Sequence, residues 1–370
     1  MKQGYPPVRL SLILLAVALI WRMIGAPLTL AQWRALEVPV WQARVLLPGR
    51  VERILLLWLE PRQDEQTQNT LRQLENGAEL ALLDAPVREP VTLSVWNAQK
   101  GQLEQMELES YVYGVVAAEM PAAYHAQALM AQSVAARTRA LYQKANGGCS
   151  LCTGADVCTE SGHCQGYADT IACMEKWGDE YLVYQQRIMD AVAATAGQVV
   201  TWEGEPIQVM YHAISGGQTE DVQAVFFQAV PYLVSVKSTG EEGVRGYRED
   251  TFFSFSEASQ LLSKAFPDLG ITPETLQRTL LIASHTETGR VKEVLLGEGE
   301  VKGTDFRGAL GLRSTLFTFT MDADGITFHQ TGYGHGVGMS QAGANSMAAD
   351  GYGYEKILAH YYPGTALEKR

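Results

Sequence analysis

The chain has 370 residues, 46% hydrophobic and 19% charged, with a formal net charge of -12 at pH 7. That composition describes a globular protein with room for one large domain or two ordinary ones. The acidic balance, with no clustered Lys/Arg stripe, excludes a nucleic-acid partner, because phosphate binding draws on clustered cations that release counterions.

Lys2 and Arg9 precede the apolar run Leu10 to Trp21; Arg22 interrupts it, and Met23 to Ala31 continue it. This charge order predicts that residues 1–31 are an N-terminal membrane anchor or a cleaved signal, with a buried core helix as the plainer alternative. Either main reading puts the body of the protein outside the cytoplasm. Residues 32–90 are weakly patterned and read as an accessory or stalk region. From Val91 the pattern sharpens, and 91–370 reads as the main folded domain.

"VTLSVW" and "QLEQMEL" alternate around "NAQKG", which predicts a β-hairpin leading into "GVVAAEMP". The following "PAAYHAQALMAQSVAARTRALYQKANGG" is an alanine-rich helix with Pro121 in its first turn and Gly147-Gly148 at its end. Arg137 lies either on its exposed edge or buried and paired. Short apolar runs between 190 and 235 read as strands, followed by a helix near Ser256 to Ala265, a strand "VKEVLLG", and a helical stretch "GTDFRGALGL". A hairpin turns at Ala323 to Gly325, and helices follow at Ser340 to Ala349 and Tyr354 to Tyr361. Strands and helices come in blocks, so the fold class is α+β: an N-terminal membrane anchor, then a mixed helix and antiparallel-sheet domain with a loop that the cysteines below make zinc-bound.

Cys149, Cys152, Cys158 and Cys164 cluster in "CSLCTGADVCTESGHCQGY", with Cys173 beyond. Disulfides and free thiols are alternatives, but the odd count and the histidine favour one structural Zn²⁺ per chain held by Cys152, Cys158, His163 and Cys164. His212, Ser215 and Glu220 have the residue types of a nucleophilic set, but no G-x-S-x-G elbow accompanies them.

The stretches "YVYGVVAAEMP", "ALMAQSVAARTRAL", "YHAISGGQTED", "VPYLVSV", "GTDFRGALGLRST" and "GYGHGVGMSQAGANSMAADGYGYEKILAHYYPGTAL" together resemble the stage II sporulation protein D family of peptidoglycan lytic transglycosylases and the related amidase-enhancer proteins. The resemblance runs in order from about Val91 to Leu367. It implies a membrane-anchored, extracytoplasmic enzyme that cuts glycan strands between mother cell and forespore during engulfment. Its partners would be a cell-wall amidase, which strips peptides from the strands, and membrane proteins of the engulfment machinery. It implies Glu119 as the catalytic acid/base, Arg137 as part of the active region, and a zinc ion in the Cys/His cluster. Some relatives have histidine as first ligand, where this chain offers Cys149 or Cys152.

A glycosidase normally needs two carboxyl groups. A lytic transglycosylase needs one, because the C6 hydroxyl of muramic acid replaces water as nucleophile. Burial among the apolar neighbours of Glu119 would raise its pKa for proton donation, while a following helix N-terminus would oppose that shift. A helix-capping role is the plain alternative. Tyr211, His212, Ser215, Tyr333, His335, Ser340, Gln341 and Tyr361 are candidate sugar-binding residues, set against a reading of the glycine-rich turn as a packing device. The alternative function is a non-catalytic glycan-binding enhancer of an amidase.

Overall fold

The structure is a computed structural model that describes residues 90–226 and 228–370. Pro90–Arg370 form one compact unit with two hydrophobic cores.

The first core is assembled from both ends of the unit. The hairpin β1 (Thr92–Asn97) and β2 (Gln102–Glu107) leads into helix α1 (Leu108–Glu119), which the sequence pattern does not announce. Pro121 forces Met120 into extended backbone (φ -119°, ψ 139°) and so ends α1. A turn then leads to α2 (Ala126–Ala145), capped by the His125 side chain rather than beginning at Pro121. Alanines at 128, 131, 135, 136 and 140 are fully buried in α2, which lets neighbouring helices approach closely. Short β3 (Val157–Cys158) pairs in parallel with β1. Helices α3 (Thr170–Trp177) and α4 (Tyr181–Ala194) follow, then β4 (Gln198–Trp202), β5 (Glu205–Pro206) and β6 (Tyr211–His212). "PYLVSV" forms no strand.

The second core lies in the segment between. Short α5 (Val222–Phe226) precedes β7 (Arg248–Ser254), α6 (Phe255–Ala265) and α7 (Pro273–Thr279). Then come β8 (Leu281–His285), β9 (Val291–Leu296), β10 (Gly299–Lys302), α8 (Gly303–Leu310), β11 (Phe317–Met321) and β12 (Gly325–Thr331). Two antiparallel sheets result, ordered β10-β9-β8 and β11-β12-β7. Phe306, Phe317 and Phe328 meet between them with ring centroids 5.6–5.9 Å apart, each pair adding about 0.5–1.5 kcal/mol beyond area burial.

The chain then returns to the first core. β13 (Met339–Ser340) pairs in parallel with β6, α9 (Gln341–Ala349) and α10 (Tyr354–Tyr361) pack on α2, and β14 (Ala366–Lys369) pairs with β4. The mixed α+β architecture matches the reading of the sequence.

The membrane-anchored form of that fold class is corrected. No helix among the described residues is long and apolar enough to cross a membrane. The longest, α2, has 20 residues but carries Gln132, Arg137, Arg139 and Lys144, whose desolvation in lipid would cost several kcal/mol. Residues 1–31, on which the anchor expectation rests, lie outside the described residues, as do residues 32–89 of the accessory region. The transmembrane reading and the membrane-anchored, extracytoplasmic localisation drawn from it are withdrawn.

Candidate active site and metal centre

Glu119 is the last residue of α1, half-buried, with Met120 and the turn to Tyr124 wrapping past it. Its Oε1 accepts a 2.5 Å hydrogen bond from the Gly166 N–H. Burial raises its pKa above the ordinary carboxyl range, opposed by the Gly166 amide and the positive charges of Arg139 and Lys176. A helix C-terminus carries partial negative charge, so the dipole of α1 adds to the effect of burial rather than opposing it. Glu119 caps no helix start.

Two cations hold the backbone on either side of this carboxyl group. Lys176 Nζ donates to the Ala117 and Ala118 carbonyls (2.9 and 3.2 Å), which α1 leaves unsatisfied at its end. Arg187 Nε and Nη2 donate to the Ala122 and Tyr124 carbonyls (2.9 and 2.6 Å). Sequence reasoning missed both, since a lone Lys or Arg on a later helix carries no local signal.

Tyr211 reaches the same region. It is buried, its hydroxyl donates to Gln165 Oε1 (2.8 Å), and burial followed by the Glu119 charge pushes its pKa well up. His335 is also near: burial, then the charges of Arg139 and Arg307, press its imidazole down to about 4. Its Nδ1 accepts from the Val337 N–H (3.0 Å). His212 is buried with its ring centroid 5.7 Å from that of His335, and burial lowers its pKa well below the ordinary value. Its Nδ1 lies 3.1 Å from the Val337 carbonyl, while Nε2 has no hydrogen-bond partner among the described residues. Tyr333 is exposed, with the Arg313 guanidinium 4.2 Å from its ring centroid.

Other expected sugar ligands point inward. Arg137 is fully buried in a bidentate pair with Glu109 (2.8 and 2.5 Å) and also reaches the Ser133, Val192 and Gln198 carbonyls. Ser215 and Ser340 donate to the buried carboxyl of Glu241, as do the Ser215 and Gly216 N–H groups and Ser238. Tyr361 is buried 2.7 Å from Ser238 Oγ. Gln341 Nε2 donates to Gln132 Oε1 at 3.4 Å. The hydroxyls that looked suited to sugar therefore surround Glu241, which the sequence reading did not single out. The glycine-rich turn also packs tightly: a Cβ at Gly338 (φ +71°) would lie 2.1 Å from the Met210 carbonyl oxygen.

The ligand atoms of Cys149, Cys158, His163 and Cys164 all lie within 4.8 Å of one another. Each of the three sulfurs is 3.4 Å from His163 Nδ1, close to the separation of about 3.5 Å expected between S and N ligands of one tetrahedral Zn²⁺. Ser150 Oγ lies 3.1 Å from His163 Nε2, the outer partner that would orient the ring. The donor set fits a structural metal, and no disulfide joins the cysteines. Cys149 takes the place expected for Cys152, which falls outside the four. The loop reaches the acid directly, because Gly166 follows Cys164 by two residues.

A family model described as stage II sporulation protein matches residues 97–202. The chain is similar to stage II sporulation protein D of Bacillus amyloliquefaciens, 33% identical over 88% of this chain and 90% of the relative. It is likewise similar to stage II sporulation protein D of Bacillus subtilis, 32% identical over 83% and 86%. An amidase enhancer of Bacillus subtilis is 27% identical over 69% of this chain and 40% of that protein. At this identity and coverage, the chain belongs to the stage II sporulation protein D family.

Proposed function

We propose that the protein is a peptidoglycan lytic transglycosylase of sporulation, cleaving MurNAc-GlcNAc strands, probed best as peptide-free glycan, to 1,6-anhydro-MurNAc ends. The observation that carries this reading is the half-buried carboxyl of Glu119, raised in pKa, with the backbone on either side of it held by Lys176 and Arg187. Both charges that act on it are cationic, which suits a mechanism with one carboxyl group. Protonated Glu119 gives its proton to the glycosidic oxygen as the C1–O bond breaks. The resulting carboxylate takes the proton of the C6 hydroxyl as that oxygen bonds to C1, closing the anhydro ring and restoring the acid. Atoms balance without water. A zinc ion in the cysteine loop would supply structure, holding the segment that delivers the Gly166 N–H. The similarity to an amidase enhancer supports a cell-wall amidase as partner.

The test is digestion of purified glycan strands with mass spectrometry of the ends. The wild-type chain is expected to yield 1,6-anhydro termini, and Glu119→Gln to bind strands without cutting. Strands bound but intact with the wild-type chain would replace this reading with a non-catalytic amidase enhancer.

A further inference from the structure

A cavity of about 300 Å³ opens beside the site, lined by Arg139, Tyr142, Gln143, Asn146, Ser150 and Gln208 among others. Arg139 sits two residues after Arg137 on α2, and the contrast between them is informative. Arg137 is neutralised by a bidentate carboxylate. Arg139 is in no ion pair among the described residues, and its guanidinium makes only two long contacts, to the Val209 carbonyl (3.3 Å) and the His163 carbonyl (3.5 Å). Most of its five N–H donors are unspent. The Tyr142 hydroxyl and the Gln208 side-chain amide, on the same cavity, also make no hydrogen bond among the described residues.

A half-buried cation in no direct ion pair among the described residues, with only the raised-pKa carboxyl of Glu119 within electrostatic reach, sits on a polar cavity of ligand size and suits an anion. Geometry relates it to the acid. Arg139 touches the carbonyl of His163 and Glu119 accepts from the N–H of Gly166, and the chain between those two points spans at most about 10 Å. The cavity is therefore within reach of sugar rings flanking the scissile bond.

We propose that Arg139, with Tyr142 and Gln208, forms a subsite for the free lactyl carboxylate of an N-acetylmuramic acid residue. This rests on the glycan reading of Glu119 and refines it. A planar guanidinium engages a carboxylate through two parallel hydrogen bonds, and the hydroxyl and amide suit the sugar's hydroxyl and acetamido groups. A peptide on the lactyl group would turn the carboxylate into an amide, removing the charge and adding bulk. The subsite then discriminates in favour of peptide-free strands.

The test uses the full chain carrying Glu119→Gln, so that binding is read without cleavage. Calorimetry compares a GlcNAc-MurNAc tetrasaccharide bearing free lactyl carboxylates with the same tetrasaccharide capped as N-methylamides. The free acid is expected to bind about ten- to hundredfold more tightly, the worth of charge-assisted hydrogen bonds. Arg139→Met should erase that ratio while leaving the affinity for the amide unchanged, and Arg139→Lys should keep part of it. Equal affinities in the parent chain, or an equal loss for both ligands in Arg139→Met with an unchanged melting temperature, would overturn the subsite while leaving the function of Glu119 intact. If neither tetrasaccharide binds and the wild-type chain leaves strands uncut, the glycan reading falls and the subsite with it.

Discussion

Replacing Glu109 with Gln would decide what Arg137 is for. The substitution keeps the shape of the side chain but strips the charge from the partner of a guanidinium with no exposure. Arg137 would keep its three carbonyl contacts, the nearest 3.1 Å from Gln198 O, yet no counter-charge would remain beside it. Breaking a buried pair in this way costs about 3–5 kcal/mol. The Glu109 side chain is 30% exposed, so water already softens the pair and the lower end applies. At roughly 2–4 °C of melting temperature per kcal/mol for large domains, a loss of about 3 kcal/mol gives an expected fall of about 6–12 °C, read by calorimetry or thermal circular dichroism. The double variant Glu109→Leu with Arg137→Met should recover part of it, because an apolar pair leaves no stranded charge. A change below about 2 °C, accompanied by weakened glycan binding, would refute the structural account and return Arg137 to the substrate.

Removing the positive charge of Lys176 should raise the pKa of Glu119 further, because that charge lowers it. The alkaline limb of cleavage is then expected at higher pH in Lys176→Met and near its original place in Lys176→Arg; an unmoved limb in Lys176→Met would sink the assignment. The same raised pKa has a cost in stability: the folded state disfavours the Glu119 anion, so stability falls as pH rises from the unfolded value of about 4.3 through the folded one. Glu119→Gln should therefore melt above the parent at neutral pH and not in acid, and lower melting at neutral pH would contradict the burial argument. For the metal centre, elemental analysis should find one zinc per chain, lost in Cys149→Ser and retained in Cys152→Ser. The reverse pattern would give the fourth ligand back to Cys152.

Legibility followed the range of the interactions. The hairpin Thr92–Glu107 was readable because two alternating runs flank a local turn, and α10 because its apolar spacing and following Pro363 are local too. Helix α1 was not, since "SYVYGVV" is rich in β-branched and aromatic residues. Packing overrides that propensity: the ring of Tyr167 sits where a Cβ at Gly114 would be, 2.1 Å from its nearest atom, so the glycine is there for close approach. Glu119 and the cysteine loop were visible as residue types in unusual company. Their connection through Gly166 was not, and neither was the Glu241 cluster, whose hydrogen-bonding partners lie as far as 99 positions away along the chain. Ser215, Ser340 and Tyr361 have chemistry suited to sugar, and only the fold reveals that their hydroxyls face inward.

Helix α2 lies beneath α9 and α10, and β14 completes the sheet begun by β4. During synthesis, a nascent chain with the alanine-rich helix already made must wait some two hundred positions for the helices that cover it. Until then its bare faces are open to chaperones and to other unfinished copies. Translation stalled before Gln341 would thus leave Glu119 already made, on a scaffold unable to close around it.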